Sequence, residues 1–136
     1  MRKIMALAVI ALGLGVQLSA ADAQCLRYEP QQVVLTGSVQ REQTYGPPGY
    51  GETPSRDAKE ITYFLQLSAP ICVQRGEGSD EPAESGVQRL QIAFLNMEPD
   101  PRIAGRRVSI TGTLFHATTA HHMTPVLVSP DRVQIQ

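Results

Sequence analysis

The chain has 136 residues, 12 lysines and arginines against 13 aspartates and glutamates, and a formal net charge of −1. That length holds one compact core and is too short for two good ones. With no basic excess there is no field to gather nucleic acid or an anionic bilayer, so neither is an expected partner.

Arg2 and Lys3 precede an apolar run from Ile4 to Val16, and Leu18, Ser19 and Ala20 lead into Ala21-Asp22-Ala23. A charged start, an apolar stretch and a small-x-small site make a bacterial secretory signal peptide, cleaved after Ala23. The apolar run is shorter than the roughly 20 residues that span a bilayer, so no stable membrane insertion is expected after cleavage. Gln24 stands before Cys25 where a lipoprotein site would carry glycine or alanine. Residues 24–136 are then a single exported domain, periplasmic or secreted. Cleavage removes Arg2, Lys3 and Asp22, leaving 10 basic and 12 acidic residues and a net charge of −2.

Cys25 and Cys72 are the two cysteines of the chain. An even count in an exported protein favours a disulfide, which would pin the N-terminal arm to the end of a central strand. Residues 25 to 72 make a closed loop of 48 residues, which corresponds to about 4 kcal/mol in the chain-entropy model. The spacing is not Cys-x-x-Cys, so redox catalysis is not expected.

Apolar residues then recur with a period near two, the pattern of half-buried strands. Val33, Leu35 and Val39 alternate with Val34, Thr36 and Ser38; Ile61, Tyr63, Leu65 and Leu67 alternate with Thr62, Phe64, Gln66 and Ser68. A third strand places Leu90, Ile92 and Phe94 on one face, and a fourth does the same with Val108, Ile110 and Leu114. Between them, Pro99 and Pro101 limit anything helical in 95–105 to about a turn. Val126, Leu127 and Val128 form a fifth, which Pro130 is expected to interrupt, leaving Val133 and Ile135 as an edge segment. Within residues 24–136 Arg106-Arg107 is the one basic doublet, and a solvated strand start accounts for it.

The heptads 33–39 and 108–114 share a pattern with glycine in the middle, Gly37 and Gly112, on the face otherwise held by branched apolar side chains. Glycine there points to sharp coiling, a bulge or close backbone approach, which a small barrel needs in order to close. The expected fold is all-β, a five-stranded barrel of the oligonucleotide/oligosaccharide-binding (OB) kind, closed or partly open.

Two loops are distinctive. Residues 44–60 contain Tyr45-Gly46-Pro47-Pro48-Gly49-Tyr50-Gly51, stiff at the prolines and free at the glycines. Residues 76–86 hold Glu77, Asp80, Glu81 and Glu84 without calcium-loop spacing, and read as a solvated turn. The sharpest cluster is histidine: His116, His121 and His122 fall within seven residues. His116 shares parity with Ile110 and Leu114 and should point inward at a strand mouth, whereas His121 and His122 should face opposite ways in extended chain.

Several of these features together resemble a bacterial secreted domain family known only as a domain of unknown function. They are Cys25-Leu26-Arg27-Tyr28-Glu29-Pro30, Val34-Leu35-Thr36-Gly37, Gly46-Pro47-Pro48 and Pro70-Ile71-Cys72. The closing signature runs from Gly105-Arg106-Arg107-Val108 through Gly112-Thr113-Leu114-Phe115-His116-Ala117 to His121-His122 and Thr124-Pro125-Val126-Leu127. The resemblance supports one domain and a disulfide, and it implies no activity. Relatives tend to carry further histidines where this chain has Thr118 and Met123, which counts against a metal site here.

No Gly-x-Ser-x-Gly elbow accompanies Ser85-Gly86, and no acid is placed to orient a histidine, so an enzyme is not expected. The leading reading is a non-catalytic binding or accessory domain for an unidentified envelope ligand, contacted through Tyr45, Tyr50, His116, His121 and His122. It requires no cofactor. A second reading is zinc or copper held by His116, His121 and His122, although such sites usually want three or four converging ligands. A third is a structural partner of an envelope protein.

Overall fold

The computed structural model describes residues 24–136, so the signal-peptide reading of residues 1–23 lies outside the described residues. Five strands form the frame: β1 (Gln32–Tyr45), β2 (Lys59–Val73), β3 (Glu84–Ile92), β4 (Arg107–His116) and β5 (Val126–Ile135). They close into one hydrogen-bonded ring in the order β1-β2-β3-β5-β4. All neighbours are antiparallel except β3 and β5, which run parallel and touch only at Gln91↔Leu127 and Ile92↔Val128. This is the topology of an OB barrel, with one narrow seam.

The alternation seen in the sequence becomes the inside of the barrel. Val33, Leu35, Val39, Leu65, Leu67, Leu90, Ile92, Val108, Ile110 and Leu114 all point into one core, joined by Val126 and Val128. Burying side chains of this size contributes about 1.5–3 kcal/mol each relative to exposure. That offsets the entropy lost on ordering the chain. Phe94 stays outside the strands, packed edge-on against Tyr63 with ring centroids 5.7 Å apart. Between β3 and β4 the chain makes a single 3-10 turn, Pro101–Ile103, capped by the Asp100 carboxylate and plugging the core with Ile103.

Gly37 and Gly112 sit inside β1 and β4, and each permits a backbone crossing that no side chain would. A Cβ on Gly37 would lie 2.3 Å from the Gln66 carbonyl oxygen, and one on Gly112 would lie 2.0 Å from that of Ser129. The coiling that closes the ring therefore depends on two missing methyl groups.

Pro130 does not interrupt β5. The pairing to β4 shifts register between Thr111↔Arg132 and Gly112↔Pro130, so a bulge absorbs the proline and the strand runs on to Ile135. Bulges are where proline is tolerated in a sheet, because the ladder there does not need its missing N–H. Similar register shifts let β2 pass Pro70 and reach Val73.

The disulfide joins Cys25 to Cys72, the pairing expected of the two cysteines. It ties the N-terminal arm to the end of β2. Leu26 donates to the Cys72 carbonyl at 2.8 Å and accepts from Gln74 at 2.8 Å, making a short parallel bridge. The arm then carries Tyr28 into the core's edge, where it is 3% exposed.

Candidate functional site

The five residues proposed from the sequence fall into separate places. Tyr50, in the β1–β2 loop, meets His121, in the β4–β5 loop, edge-to-face with ring centroids 5.0 Å apart. His121 Nε2 also lies 3.4 Å from Glu60 Oε1 on β2. Two loops some seventy positions apart in sequence are thus brought together over one end of β2.

Below this pair lies a groove of about 460 Å3. Its walls are Glu60, Ile61, Thr62 and Tyr63 of β2, Gln91 and Ile92 of β3, and Ala93, Phe94 and Pro99 of the segment after β3, with His121 also lining it. Its surroundings are rich in uncovered apolar groups: Ile61 is 45% exposed, and Tyr50, Leu95 and Met123 are exposed close by in the chain or through hydrogen bonds. Exposed apolar residues scattered singly mean little, but a concentration beside a concave polar surface marks a contact site. Three other depressions are present among the described residues: two of about 270 Å3, beside Arg27–Gln31 and beside Gln24–Leu26 with Gln32 and Val33, and one of about 280 Å3 between Ile103 and Ile135 that shares Phe94 with the groove. None of the three contains Tyr45, Tyr50 or a histidine.

Three side chains that sequence reasoning passed over build this region. Gln91 staples the β4–β5 loop to β3: its Nε2 donates to the His121 carbonyl at 3.1 Å, and its Oε1 accepts from Met123 N–H at 2.6 Å. Thr124 Oγ1 accepts from the Gln91 N–H at 2.9 Å and donates to the Val126 carbonyl at 2.7 Å. Asp57 organises the tyrosine loop. Its carboxylate accepts from the N–H groups of Gly49, Gly51 and Thr53 and from the Thr53 hydroxyl, at 2.7 to 3.1 Å. Burial by itself would raise the Asp57 pKa. The hydrogen bonds from Gly51, Gly49 and Thr53 together outweigh it and hold the carboxyl below the usual aspartate range. The loop that carries Tyr50 is therefore wrapped around an ion. An aspartate followed by alanine gives no sequence signal for this, because its partners lie four to eight residues upstream.

Tyr45 ends β1 and faces Gly51 of the same loop, whose Cβ position is 3.7 Å from the Tyr45 ring. It supports the loop and is not among the groove's walls.

His116 ends β4 and meets neither of the other histidines. Its Nε2 is 2.8 Å from Glu84 Oε1, and its backbone N–H donates to Glu81 Oε2 at 3.0 Å. The acidic 76–86 segment, expected to be a solvated turn, is thus partly folded down: Glu84 opens β3, and Tyr28 Oη donates to the Pro82 carbonyl at 2.7 Å. Burial, then the negative charges of Glu84 and Glu81, push the Tyr28 phenol up to about 12. The segment folds down because His116 and Tyr28, distant in sequence, offer it donors. His122 turns into its own loop. Its Nδ1 accepts from Thr118 N–H at 2.8 Å and Thr119 N–H at 3.2 Å, and its ring stands edge-on to Phe115 at 5.5 Å. Burial, and then the neighbouring His121, lower its pKa, so the acceptor nitrogen stays unprotonated near neutral pH.

The three histidines therefore do not converge. Among the described residues no group of three or more histidine, cysteine, aspartate or glutamate side chains is arranged to hold a metal ion. The metal reading needed one point common to three imidazoles, and the structure supplies three separate environments.

Fold and site together define a small OB-like β-barrel domain with a groove on the β2–β3 side, between its β1–β2 and β4–β5 loops. Residues 89–134, from the second half of β3 to the penultimate residue of β5, match the family model of a domain of unknown function (DUF4431). That stretch contains the closing signature of the sequence resemblance, while its earlier segments, Cys25–Pro30, Val34–Gly37, Gly46–Pro48 and Pro70–Cys72, lie outside it. No curated protein and no solved structure matches the chain.

Proposed function

We propose that this is a non-catalytic binding domain that acts outside the cytoplasm and takes its ligand in the groove beside Tyr50, His121 and Glu60. One observation carries the reading: an aromatic ring and an imidazole from remote loops meet above a concave surface that leaves Ile61 uncovered. The position agrees with the general use of OB barrels, whose ligands lie on the strand 2–3 face between the 1–2 and 4–5 loops. That agreement is an analogy of fold. Tyr50 and Phe94 offer ring surface, and Gln91, Glu60 and Thr62 offer polar groups that fix orientation. The disulfide supports an oxidising compartment, and the charged, apolar and small-residue pattern of residues 2–23 supports export to the periplasm or beyond.

The test is a titration of the purified domain with cell-wall saccharides and with peptides, read from amide and aromatic ring-proton shifts. The expected response is confined to Tyr50, Ile61, Gln91 and His121, while His116 and His122 stay still. Binding that shifts neither Tyr50 nor His121 would place the contact surface elsewhere.

A further inference from the structure

The groove also exposes a piece of strand edge. β3 ends at Ile92, opposite Tyr63, whereas β2 begins four residues earlier, at Lys59, and pairs with β1 along that whole length. On its other side, residues 59–62 have no strand beside them among the described residues. The direction of their backbone groups follows from the neighbours. Gln91 N–H goes to Thr124 and Ala93 N–H to Val128, so odd-numbered residues of β3 point toward β5 and even-numbered ones toward β2. Ile92 and Leu90 are then bonded to Tyr63 and Leu65. Alternation along β2 turns the N–H and C=O of Ile61 to the same side, into the groove. Among the described residues neither group meets a backbone partner outside the strands or a side chain.

From this we infer that the groove's ligand is an extended peptide, added as a short extra strand along the β2 edge and carrying a basic side chain toward Glu60. The inference rests on the groove being the binding site, and it names the ligand class. An N–H and a C=O from one residue, aimed the same way on a strand edge, match the donor and acceptor of a peptide residue in ladder geometry. Uncovered edges of this kind are where chains pair. Glu60, His121 and Tyr63 are the ionisable groups of the wall, Glu60 being its carboxylate, and among the described residues no lysine or arginine lines it. A basic side chain therefore meets a carboxylate without repulsion. Lys59 ends the edge, which limits the added strand to a few residues.

The experiment titrates the full described domain with three probes: hexapeptide pools with lysine fixed at one position, the same pools with glutamate fixed there, and a neutral tetrasaccharide of N-acetylglucosamine. Amide shifts are followed in wild type, I61P and I61V. Proline removes the Ile61 N–H yet leaves the β1 side of β2 its ladder bonds, since that residue points away from β1. The expected result is a shift of the Ile61 amide with the lysine pools. Affinity should fall by about tenfold or more in I61P, where a ladder bond is lost and the ring intrudes, and hold in I61V. If I61P does not fold, lysine pools N-methylated along the backbone take its place and should fail to bind. Undiminished peptide binding to folded I61P, or by the methylated pools, overturns strand addition. Preference for the glutamate pools overturns the role of Glu60. A response of Tyr50 and His121 to the saccharide alone overturns the peptide and keeps the groove. No response to any probe overturns both readings.

Discussion

Placing a single methyl group at position 112 is the most direct test of how this barrel closes. In Gly112→Ala the new Cβ would lie 2.0 Å from the Ser129 carbonyl oxygen and 2.9 Å from Pro130 Cα. Ordinary contact begins near 3.4 Å, so β4 and β5 must separate by about 1.4 Å, the difference of 3.4 and 2.0. Both obstacles are backbone, which cannot rotate aside as a side chain would, and they lie at the bulge that accommodates Pro130. The cost should fall at the upper end for overpacking, about 3 kcal/mol. For a domain near this size that is a fall in melting temperature of roughly 12 °C. Gly105→Ala is the control. Gly105 has a φ of +73° but open space around it, so alanine there brings only backbone strain. That strain is about 1–2 kcal/mol. Urea and thermal unfolding of the two variants, followed by circular dichroism, decide the matter. If Gly112→Ala costs no more than Gly105→Ala, close strand approach is not what this glycine provides.

Replacing Cys25 and Cys72 by alanine should lower stability by about 4 kcal/mol through the freed unfolded chain. A loss under about 1 kcal/mol in denaturant titration would count against that. Asp57 should titrate below the ordinary aspartate value of about 3.9. Because its folded pKa is depressed, its contribution is complete above that value and disappears as pH falls through the folded pKa. Carboxyl-carbon NMR together with exchange rates of the Gly49 and Gly51 amides measures this, and a normal titration would disprove the wrapped loop. Gln91→Ala removes two side-chain hydrogen bonds to the β4–β5 loop. It should cost about 1–3 kcal/mol and speed exchange of the Met123 amide. Unchanged exchange there would mean the loop is held by other contacts. Tyr28 should ionise near 12. Stability derived from its neutral phenol is complete below about 10 and is lost as pH rises to the folded value. Tyrosinate absorbance of wild type against Tyr28→Phe checks this, and a wild-type curve with all four tyrosines near 10 would contradict it.

The strands were legible because their cause is local. A period of two in apolar residues follows from the pleat, and Val33, Leu35, Leu65, Leu90 and Ile110 face the core as the pattern requires. A glycine among branched residues is equally readable, since nothing but backbone proximity makes it useful in mid-strand. Two cysteines offer a single pairing within the molecule. None of these inferences needs to know which strand lies beside which.

Everything that depends on meeting a distant neighbour had to wait for the fold. Pro130 reads as a strand break until its bulge opposite Gly112 is known. Glu81 and Glu84 read as solvated until His116 and Tyr28 are seen under them. Three histidines close in sequence are held apart by three different partners, while Tyr50 and His121, far apart in sequence, touch. The physical reason is the same in each case. The pleat sets which way a side chain points, but strand order and register set what it finds there, and both come from closing the ring.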